Sequence, residues 1–352
     1  MHGQNIRKEY RSLVAKKILF IAGLAVLGVI LSFIALGTGP MKFGIGEITR
    51  TLADKLPLCS MPVSETTSII LLNIRLPRLI IALLSGFGLA ITGMQMQVVL
   101  RNPLASPFTL GVSAGAALGA GVAIVTGFSF IGGKYLLIGN AFLFALIPAV
   151  VIFFLSQIRQ TSYGMLILAG IAMNFIFSSV STLLSYYSNS EDLKSLTLWM
   201  MGNPGRATWQ DIVPLSIVFL FTVPVLFMQN QKLNILNTGD ESAKGLGVNV
   251  ENTRIIVLVV SSLVAAGIIC FTGIIGFVGL VSPHITRMII GNDTRYLMPA
   301  SGLFGAVFLL GADIVALKII EPAVLPVGII TSFVGGPLLL YLIVRKQRSG
   351  AW

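Results

Sequence analysis

The chain has 352 residues, of which 55% are hydrophobic and only 11% are charged. Because about a quarter of the residues in soluble proteins are charged, this composition indicates an integral membrane protein. The formal net charge of +11 does not point to a nucleic acid, since the basic residues are scattered between apolar runs and cluster only at the two ends. Two cysteines, Cys59 and Cys270, and two histidines are too few for a disulfide framework or a histidine-based metal site.

The first apolar run, 18–36, follows a basic amino-terminal segment and superficially resembles a signal peptide. Its length of about 19 residues and the absence of a small-residue cleavage site favour a retained first membrane helix. Residues 1–16 are therefore predicted to be a cytoplasmic amino-terminal segment, and 346–352 a cytoplasmic tail.

The apolar runs between these ends predict an all-α polytopic membrane protein with about ten transmembrane helices in a single domain, 17–345. The predicted spans are 17–37, 77–99, 108–127, 136–157, 162–184, 211–228, 254–271, 274–290, 297–316 and 327–345. The critical boundary is 271–276, where one apolar stretch must be divided at Gly273 and Gly276. If this stretch were undivided, the count would be nine and the carboxyl terminus would change sides.

With a cytoplasmic amino terminus, this topology puts most of the 24 basic residues on the inner side, as the positive-inside rule requires, and both termini inside. Arg75 and Arg78, in the sequence RLPR, then face outward against the rule. Two interpretations stay open on topology alone: the arginines contact lipid headgroups, or they have a specific role.

The chain offers little chemistry of its own. Its nearest approach to a phosphate-binding loop, GFSFIGGKY, has the wrong spacing, so we expect no ATP, cofactor or metal on this chain. Asp313 is the main carboxylate within a predicted span, and one acid does not make a proton relay. Gly111, Gly115 and Gly119 recur every four residues, which favours close helix packing.

Three segments together resemble the FecCD family, the permease subunits of ABC importers for ferric siderophores, heme and cobalamin. They are the stretch that begins RLPRLIIALLSGFG at Arg75, the loop TGDESAKGLGV from Thr238 to Val248, and the last helices from Gly273 to Ile343. The resemblance covers nearly the whole chain from Arg75 onward, with the motifs in the family's order.

The resemblance implies a type II ABC importer permease of ten helices in a prokaryotic cytoplasmic (inner) membrane. Two permease subunits, identical or closely related, would surround a central path in the lipid bilayer. Two ABC ATPase subunits would hydrolyse ATP with Mg²⁺ on the cytoplasmic side, and an extracytoplasmic substrate-binding protein would dock outside. The implied cargo is a metal chelate, with a ferric siderophore as our choice and cobalamin or heme as alternatives.

The family's arginines in this motif dock the binding protein, a role that falls here on Arg75 and Arg78. At the family's third docking arginine this chain has Leu317, followed by Lys318, which is the candidate replacement, and Val324 stands where the family has a glutamate. The family's ATPase-coupling loop matches residues 236–252. The matched positions in that loop are Thr238, Gly239, Ala243, Gly245, Leu246 and Gly247, with Leu246 as the apolar anchor.

The translocation path is expected to draw on the second, fifth and tenth predicted helices. Met94, Met96 and Gln97 on the second helix are candidates, and plain packing is the alternative for the methionines.

Two other classes of protein compete with the importer. A secondary transporter driven by an ion gradient would need intramembrane carboxylates. A membrane-embedded enzyme would need a nucleophile with a base, or a metal site, and the sequence shows neither.

Overall fold

The structure, a computed structural model, describes residues 2–54, 63–158, 162–321 and 323–348. Cys59 and the last four residues of the predicted tail lie outside these ranges. The described residues form helices α1 His2–Gly37, α2 Ile45–Asp54, α3 Glu65–Ile69, α4 Leu76–Val99, α5 Val112–Thr126, α6 Leu136–Ser156, α7 Tyr163–Tyr187, α8 Ser190–Met200, α9 Trp209–Met228, α10 Asn230–Leu236, α11 Asp240–Gly245, α12 Val250–Thr272, α13 Val278–Ile290, α14 Thr294–Lys318 and α15 Val327–Arg348. A π-helical segment, Ile70–Arg75, joins α3 to α4 without a break.

The all-helical membrane fold is confirmed. Seven continuous helical stretches are long and apolar enough to cross a membrane, namely those containing α1, α4, α6, α7, α9, α12 and α14. Among the described residues, α5, α13 and the apolar part of α15, Val327–Tyr341, are shorter and bring the set to the predicted ten. Short helices can belong to such a bundle because neighbouring helices, not lipid alone, surround them.

The predicted division near 271–276 is also confirmed. Helix α12 ends at Thr272, and Gly273 adopts a φ of +75°. A Cβ atom at Gly273 would lie 2.2 Å from the carbonyl oxygen of Trp199, so this position requires glycine both for its φ and for its space. Phe277 has a φ of +66° immediately before α13 begins. The chain therefore turns between two separate helices.

Sequence patterns missed the short helices α2, α3, α8 and α10. These helices lie between or beside the spans and contain polar residues, so a search for long apolar runs passes over them. Helix α1 begins at His2, well before the predicted start of the span, because the basic amino-terminal residues are themselves compatible with a helix.

Helix α4 lies at the centre of the bundle, where glycines allow close approach. A Cβ atom at Gly93 would lie 1.9 Å from the carbonyl oxygen of Gly279 in α13, and one at Gly86 would lie 2.4 Å from that of Gly305 in α14. The predicted glycine ladder of α5 behaves in the same way against α6. A Cβ atom at Gly119, for example, would lie 2.3 Å from the carbonyl oxygen of Asn140. Backbones in contact leave α4 little freedom to move on its own.

Candidate functional site at the two ends of helix α4

A bidentate ion pair holds the amino-terminal end of α4, which is the predicted outer end. Arg78 donates from Nε to Asp313 Oδ2 at 2.8 Å and from Nη2 to Oδ1 at 2.7 Å. The side chains of Arg78 and Asp313 are 15% and 2% exposed. The intramembrane carboxylate of α14 is therefore matched by a guanidinium of α4, in the planar fork geometry that suits arginine.

Arg75 lies one turn earlier and binds backbone instead of a carboxylate. Its guanidinium donates to the carbonyl oxygen of Leu36 at 2.6 Å and to that of Met41, and it stacks 4.7 Å from the ring centroid of Phe43. Leu36 lies in the last turn of α1, where carbonyl groups lack helical partners and the helix dipole favours a cation. Arg75 thus ties the end of α1 to the start of α4.

A cavity of about 180 Å³ lies among the ends of α1, α4 and α14. It is lined by both arginines, by Asp313, and by Leu317 and Val324, the two positions that depart from the family pattern. The departures therefore fall where the predicted docking arginines lie.

Lys318 is the last residue of α14, and its side chain is exposed. The sequence places Glu321 three residues after Lys318, a spacing at which two side chains on one helix can form an ion pair. The helix ends at Lys318, however, and Glu321 lies in the turn that follows, so the two residues are not a helical i,i+3 pair. Among the three predicted docking residues, Lys318 is therefore the one with the most exposed side chain.

The carboxyl-terminal end of α4, the predicted inner end, lies beside the predicted coupling loop, and a short helix forms within this loop. Helix α11 follows Gly239, whose φ is +119°, and Gly247, with a φ of +81°, lies just beyond it. Ala243 is fully buried, whereas Leu246 is 66% exposed. One face of the segment thus packs on the bundle, and an apolar side chain projects from the other.

Asp240, the first residue of α11, is the functional candidate that sequence reasoning missed. It accepts hydrogen bonds from Arg101 Nη2 at 2.7 Å, from Arg254 Nη2 at 3.2 Å and from the hydroxyl of Tyr163. The two guanidinium groups also lie 5.4 and 4.3 Å from the centroid of the Tyr163 ring. The only hint in the sequence was that both arginines fall on the predicted cytoplasmic side, and their sequence separation hides the cluster.

A second polar cluster holds α10, just before the coupling loop, on the start of α14. Asn234 donates to Asp293 Oδ1 at 2.9 Å and accepts from the backbone N–H of Thr294 at 2.7 Å. Hydrogen bonds from Arg295, followed by smaller contributions that include the one from Asn234, lower the pKa of Asp293 to about 2. Asp293 therefore keeps its charge at any pH above the acid range.

The predicted docking residues and the coupling loop lie at opposite ends of the bundle. Arg75 directly precedes α4, whereas Arg101, which follows it, binds Asp240 of α11. The 24 residues of α4 span about 36 Å at 1.5 Å per residue, comparable to the thickness of a bilayer.

The predicted path residues on α4 are buried within the chain. Met94 and Met96 are fully buried in the core of the chain, and Gln97 is 3% exposed. The Gln97 amide donates to the carbonyl oxygen of Leu280 at 3.4 Å and accepts from Arg287 Nη1 at 3.2 Å. The packing alternative thus describes the methionines, and Gln97 joins α4 to α13.

The fifth and tenth predicted helices, α7 and α15, present broad exposed faces instead. On α7, Phe175 and Tyr186 are 70% and 82% exposed, and on α15 Phe333 is 76% exposed. The face of α7 also carries hydroxyl groups, including those of Ser178 and Thr182. A long helix with so little of its surface covered requires lipid or another subunit against it.

Comparison with known proteins settles the family. The family model of the FecCD transport family matches residues 26–345. The chain belongs to the FecCD transport family. The permease is 42% identical to the hemin transport system permease protein of Yersinia pestis, over 79% of this chain and 85% of that protein. It is 34% identical to the molybdate import system permease protein of Haemophilus influenzae, over 95% of this chain and 97% of that protein.

A solved structure agrees with this assignment. The permease matches a transporter described as a metal-chelate type ABC transporter in an inward-facing conformation, with a TM-score of 0.80 and 32% identity. The match covers 92% of this chain and 98% of the other. The permease is thus a multi-pass membrane subunit of the ABC importer class, and its fold is that of the metal-chelate permeases.

Proposed function

We propose that the permease moves a metal chelate, a ferric siderophore in our choice, inward across the prokaryotic cytoplasmic (inner) membrane. ATP and Mg²⁺ would bind a separate ATPase chain, and this chain would catalyse no reaction. The observation that carries the proposal is the placement of the arginine-rich docking candidates and the coupling helix α11 at opposite ends of α4. The working unit is a single permease domain, 17–345, between the segment 1–16 and the tail 346–352.

At the outer end, an extracytoplasmic binding protein would dock on the cations beside α4 and α14. Lys318 is exposed and supplies an accessible charge, and Arg75 adds a charge that backbone carbonyls do not neutralise. Arg78 contributes in a different way, because its guanidinium already holds Asp313. Charges at the rim of such an interface mainly govern the rate and orientation of encounter.

At the inner end, one ATPase subunit would bind each permease subunit at the coupling loop, 236–252. Leu246 offers an exposed apolar anchor, and Gly245 and Gly247 beside it let a partner surface approach closely. Thr238 and Gly239 lead into α11, whose buried Ala243 holds the segment on the bundle.

The path would run between two permease subunits, identical or homologous, along the exposed faces of α7 and α15. Closure of the ATPases would tilt these helices and open the path first to one side and then to the other. Within this proposal α4 is the packed support of the path, because Met94, Met96 and Gln97 are buried inside the chain.

The choice of cargo is the least specific part of the proposal. Relatives that are 42% and 34% identical carry names that specify hemin and molybdate, respectively, so similarity of the permease does not by itself select the cargo. Heme and cobalamin import by the same mechanism are the alternatives to a siderophore.

A secondary transporter driven by an ion gradient is the alternative of another class. It would need a membrane carboxylate that can take up and release an ion or proton. Asp313 is instead held by two hydrogen bonds from Arg78. This pairing favours the ATP-driven reading.

Reconstitution tests the function. The permease would be placed in proteoliposomes with its cognate ATPase and binding protein, and uptake of ferric hydroxamate siderophore, hemin and cobalamin would be measured with and without ATP. We expect uptake of one chelate that requires ATP and both partners. Uptake by the permease alone, driven by a proton or sodium gradient, would contradict the proposal.

A further inference from the structure

We propose that Asp240 is a positioning residue that transmits the movement of α11 to the starts of α7 and α12 and to the end of α4. This inference rests on the proposed function, in which α11 receives the ATPase. Its loss would separate ATP hydrolysis from the movement of the membrane helices.

One carboxylate joins four pieces of the chain. Asp240 belongs to α11, Arg101 follows α4, Tyr163 is the first residue of α7, and Arg254 lies in the first turns of α12. Movement of α11 along or across the membrane surface must either carry these three partners with it or break their hydrogen bonds.

Helix α11 needs this connection because it is too short to hold itself. Six residues make fewer than two turns, and an isolated helix of that length is not stable in water. Its apolar attachment is mainly Ala243 and, just beyond the helix, Val248, which belong to the same buried apolar cluster as Met96 and Val99 of α4. These small contacts fix the position of α11, whereas Asp240 reaches the neighbouring helices α7 and α12.

The carboxylate of Asp240 balances the charges of the two arginines that surround it. Arg101 and Arg254 bring two positive charges to the ring of Tyr163 and to one carboxylate. Without Asp240, the two guanidinium groups would repel each other at short range. The loss would destabilise Arg254 more than Arg101, because the Arg254 side chain is only 10% exposed and water cannot solvate its charge well.

The backbone of Arg101 supports a role beyond surface charge. Its φ of +47° lies in the left-handed region, which is unfavourable for a residue with a side chain. This conformation follows the end of α4 at the point where the side chain turns to Asp240.

The connection to α7 gives the cluster its functional consequence. Helix α7 carries the exposed face that we propose to line the path, and Tyr163 is the residue at its inner end. A displacement of α11 that pulls on Tyr163 would therefore act directly on a path-lining helix.

The test follows movement of α7 in the assembled complex, with no cargo needed. Ser178→Cys, on the exposed face of α7, would be introduced in a Cys59→Ser background and labelled with a maleimide in proteoliposomes that contain the ATPase. Labelling would be compared without nucleotide and with ATP plus vanadate, and ATP hydrolysis would be measured on the same samples. We expect a clear nucleotide-dependent change in labelling with the native Asp240.

With Asp240→Asn, which keeps the shape but removes the charge, we expect this change to be lost while ATP hydrolysis continues. Asp240→Glu, which restores the charge, should recover part of it. Asp293→Asn is the matched control: it removes another arginine-paired carboxylate at the same end, and it should keep the change.

The outcomes separate the two proposals. A full nucleotide-dependent change with Asp240→Asn would overturn the role of Asp240. If the unaltered permease binds no ATPase and shows no change, it is the proposed function that fails. Should Asp240→Asn prevent assembly, Arg101→Gln gives the same readout from the more exposed side of the cluster, and a normal change there would also overturn the inference.

Discussion

Helix α4 has an arginine paired with an aspartate at each end, and the two pairs differ in their exposure to water. Arg78 and Asp313 meet at 2.7 Å with side chains that are 15% and 2% exposed. Arg101 and Asp240 also meet at 2.7 Å, but their side chains are 43% and 30% exposed. The two pairs therefore have the same distance but different surroundings. Water scarcely reaches the pair of Arg78 and Asp313, whereas water can compete for the hydrogen bonds of Arg101 and Asp240.

This difference suggests a division of labour along one helix. A buried pair can be broken only by leaving a charge without solvent, so the outer pair fixes α4 to α14. An exposed pair contributes little to stability and can be exchanged at little cost, which suits a contact that must follow a moving partner. The outer end would thus be the fixed end of the permease, and the inner end the adjustable one.

The largest effect is expected when the outer pair is broken on one side. Asp313→Asn leaves Arg78 buried without its carboxylate, and we expect a loss of about 3–5 kcal/mol in the free energy of unfolding. Thermal unfolding in detergent would measure it. The double variant Arg78→Gln/Asp313→Asn is the control and should be more stable than the single one, because no charge is then left unpaired. Equal stability of Asp313→Asn and the unaltered permease would refute the description of the pair as buried and fixed.

A smaller loss is expected in the middle of α4, where close packing links the two ends. Gly93→Ala places a methyl group 1.9 Å from the carbonyl oxygen of Gly279, and only separation of α4 from α13 can relieve the clash. We expect a loss of about 1–3 kcal/mol or more, measured by the same unfolding experiment.

Gly121→Ala is the matched control for this packing. Its methyl group would meet Leu196 Cδ2 at 3.5 Å, an ordinary contact, so stability should stay near that of the unaltered permease. Because alanine is the better helix former, helix preference alone would make both substitutions slightly stabilising. Equal costs for Gly93→Ala and Gly121→Ala would therefore show that the close crossing at Gly93 does not control the result.

Breaking the inner pair should change stability least among these three. Arg101→Gln removes an exposed ion pair, so we expect a loss of only about 0.2–1 kcal/mol in the free energy of unfolding. ATP-driven uptake should fall by a much larger factor than this stability change implies. A variant in which uptake stays normal would remove the functional contrast between the ends of α4, whatever its stability.

The sequence predicted the long apolar elements well because each depends on its own composition. The ten helices and the division at Gly273 carry local signals in glycine and apolar residues. It did not predict that Asp313 meets Arg78, which is 235 positions away, although both residues had been singled out. Such pairs depend on how helices are placed next to each other, and a single sequence carries no record of that placement.

The candidate site residues were also only partly predictable from the sequence. Met94 and Met96 were chosen for their position on a helix near the path, yet the glycines of α4 bring other helices so close that both side chains are buried. The sequence does not single out Asp240, because its partners Arg101, Tyr163 and Arg254 are brought to it only by the fold. Burial and clustering are properties of the packed bundle, and composition alone does not determine them.

The smallest effect on stability, and a specific effect on docking, is expected at Lys318. Its side chain is exposed at the end of α14, so Lys318→Glu should leave the free energy of unfolding nearly unchanged. If Lys318 is the third docking contact, charge reversal should lower the association rate of the binding protein. The reduction should shrink as salt screens the interaction.

Surface plasmon resonance with the permease in nanodiscs, at low and at high salt, would measure this rate. Lys194→Glu, which reverses an exposed lysine on α8 at the predicted outer side, is the matched control for net charge. Equal slowing by both variants would show general charge repulsion and not a defined contact. No slowing by Lys318→Glu would leave Arg75 as the remaining docking candidate at the outer end, because Arg78 is already bound to Asp313.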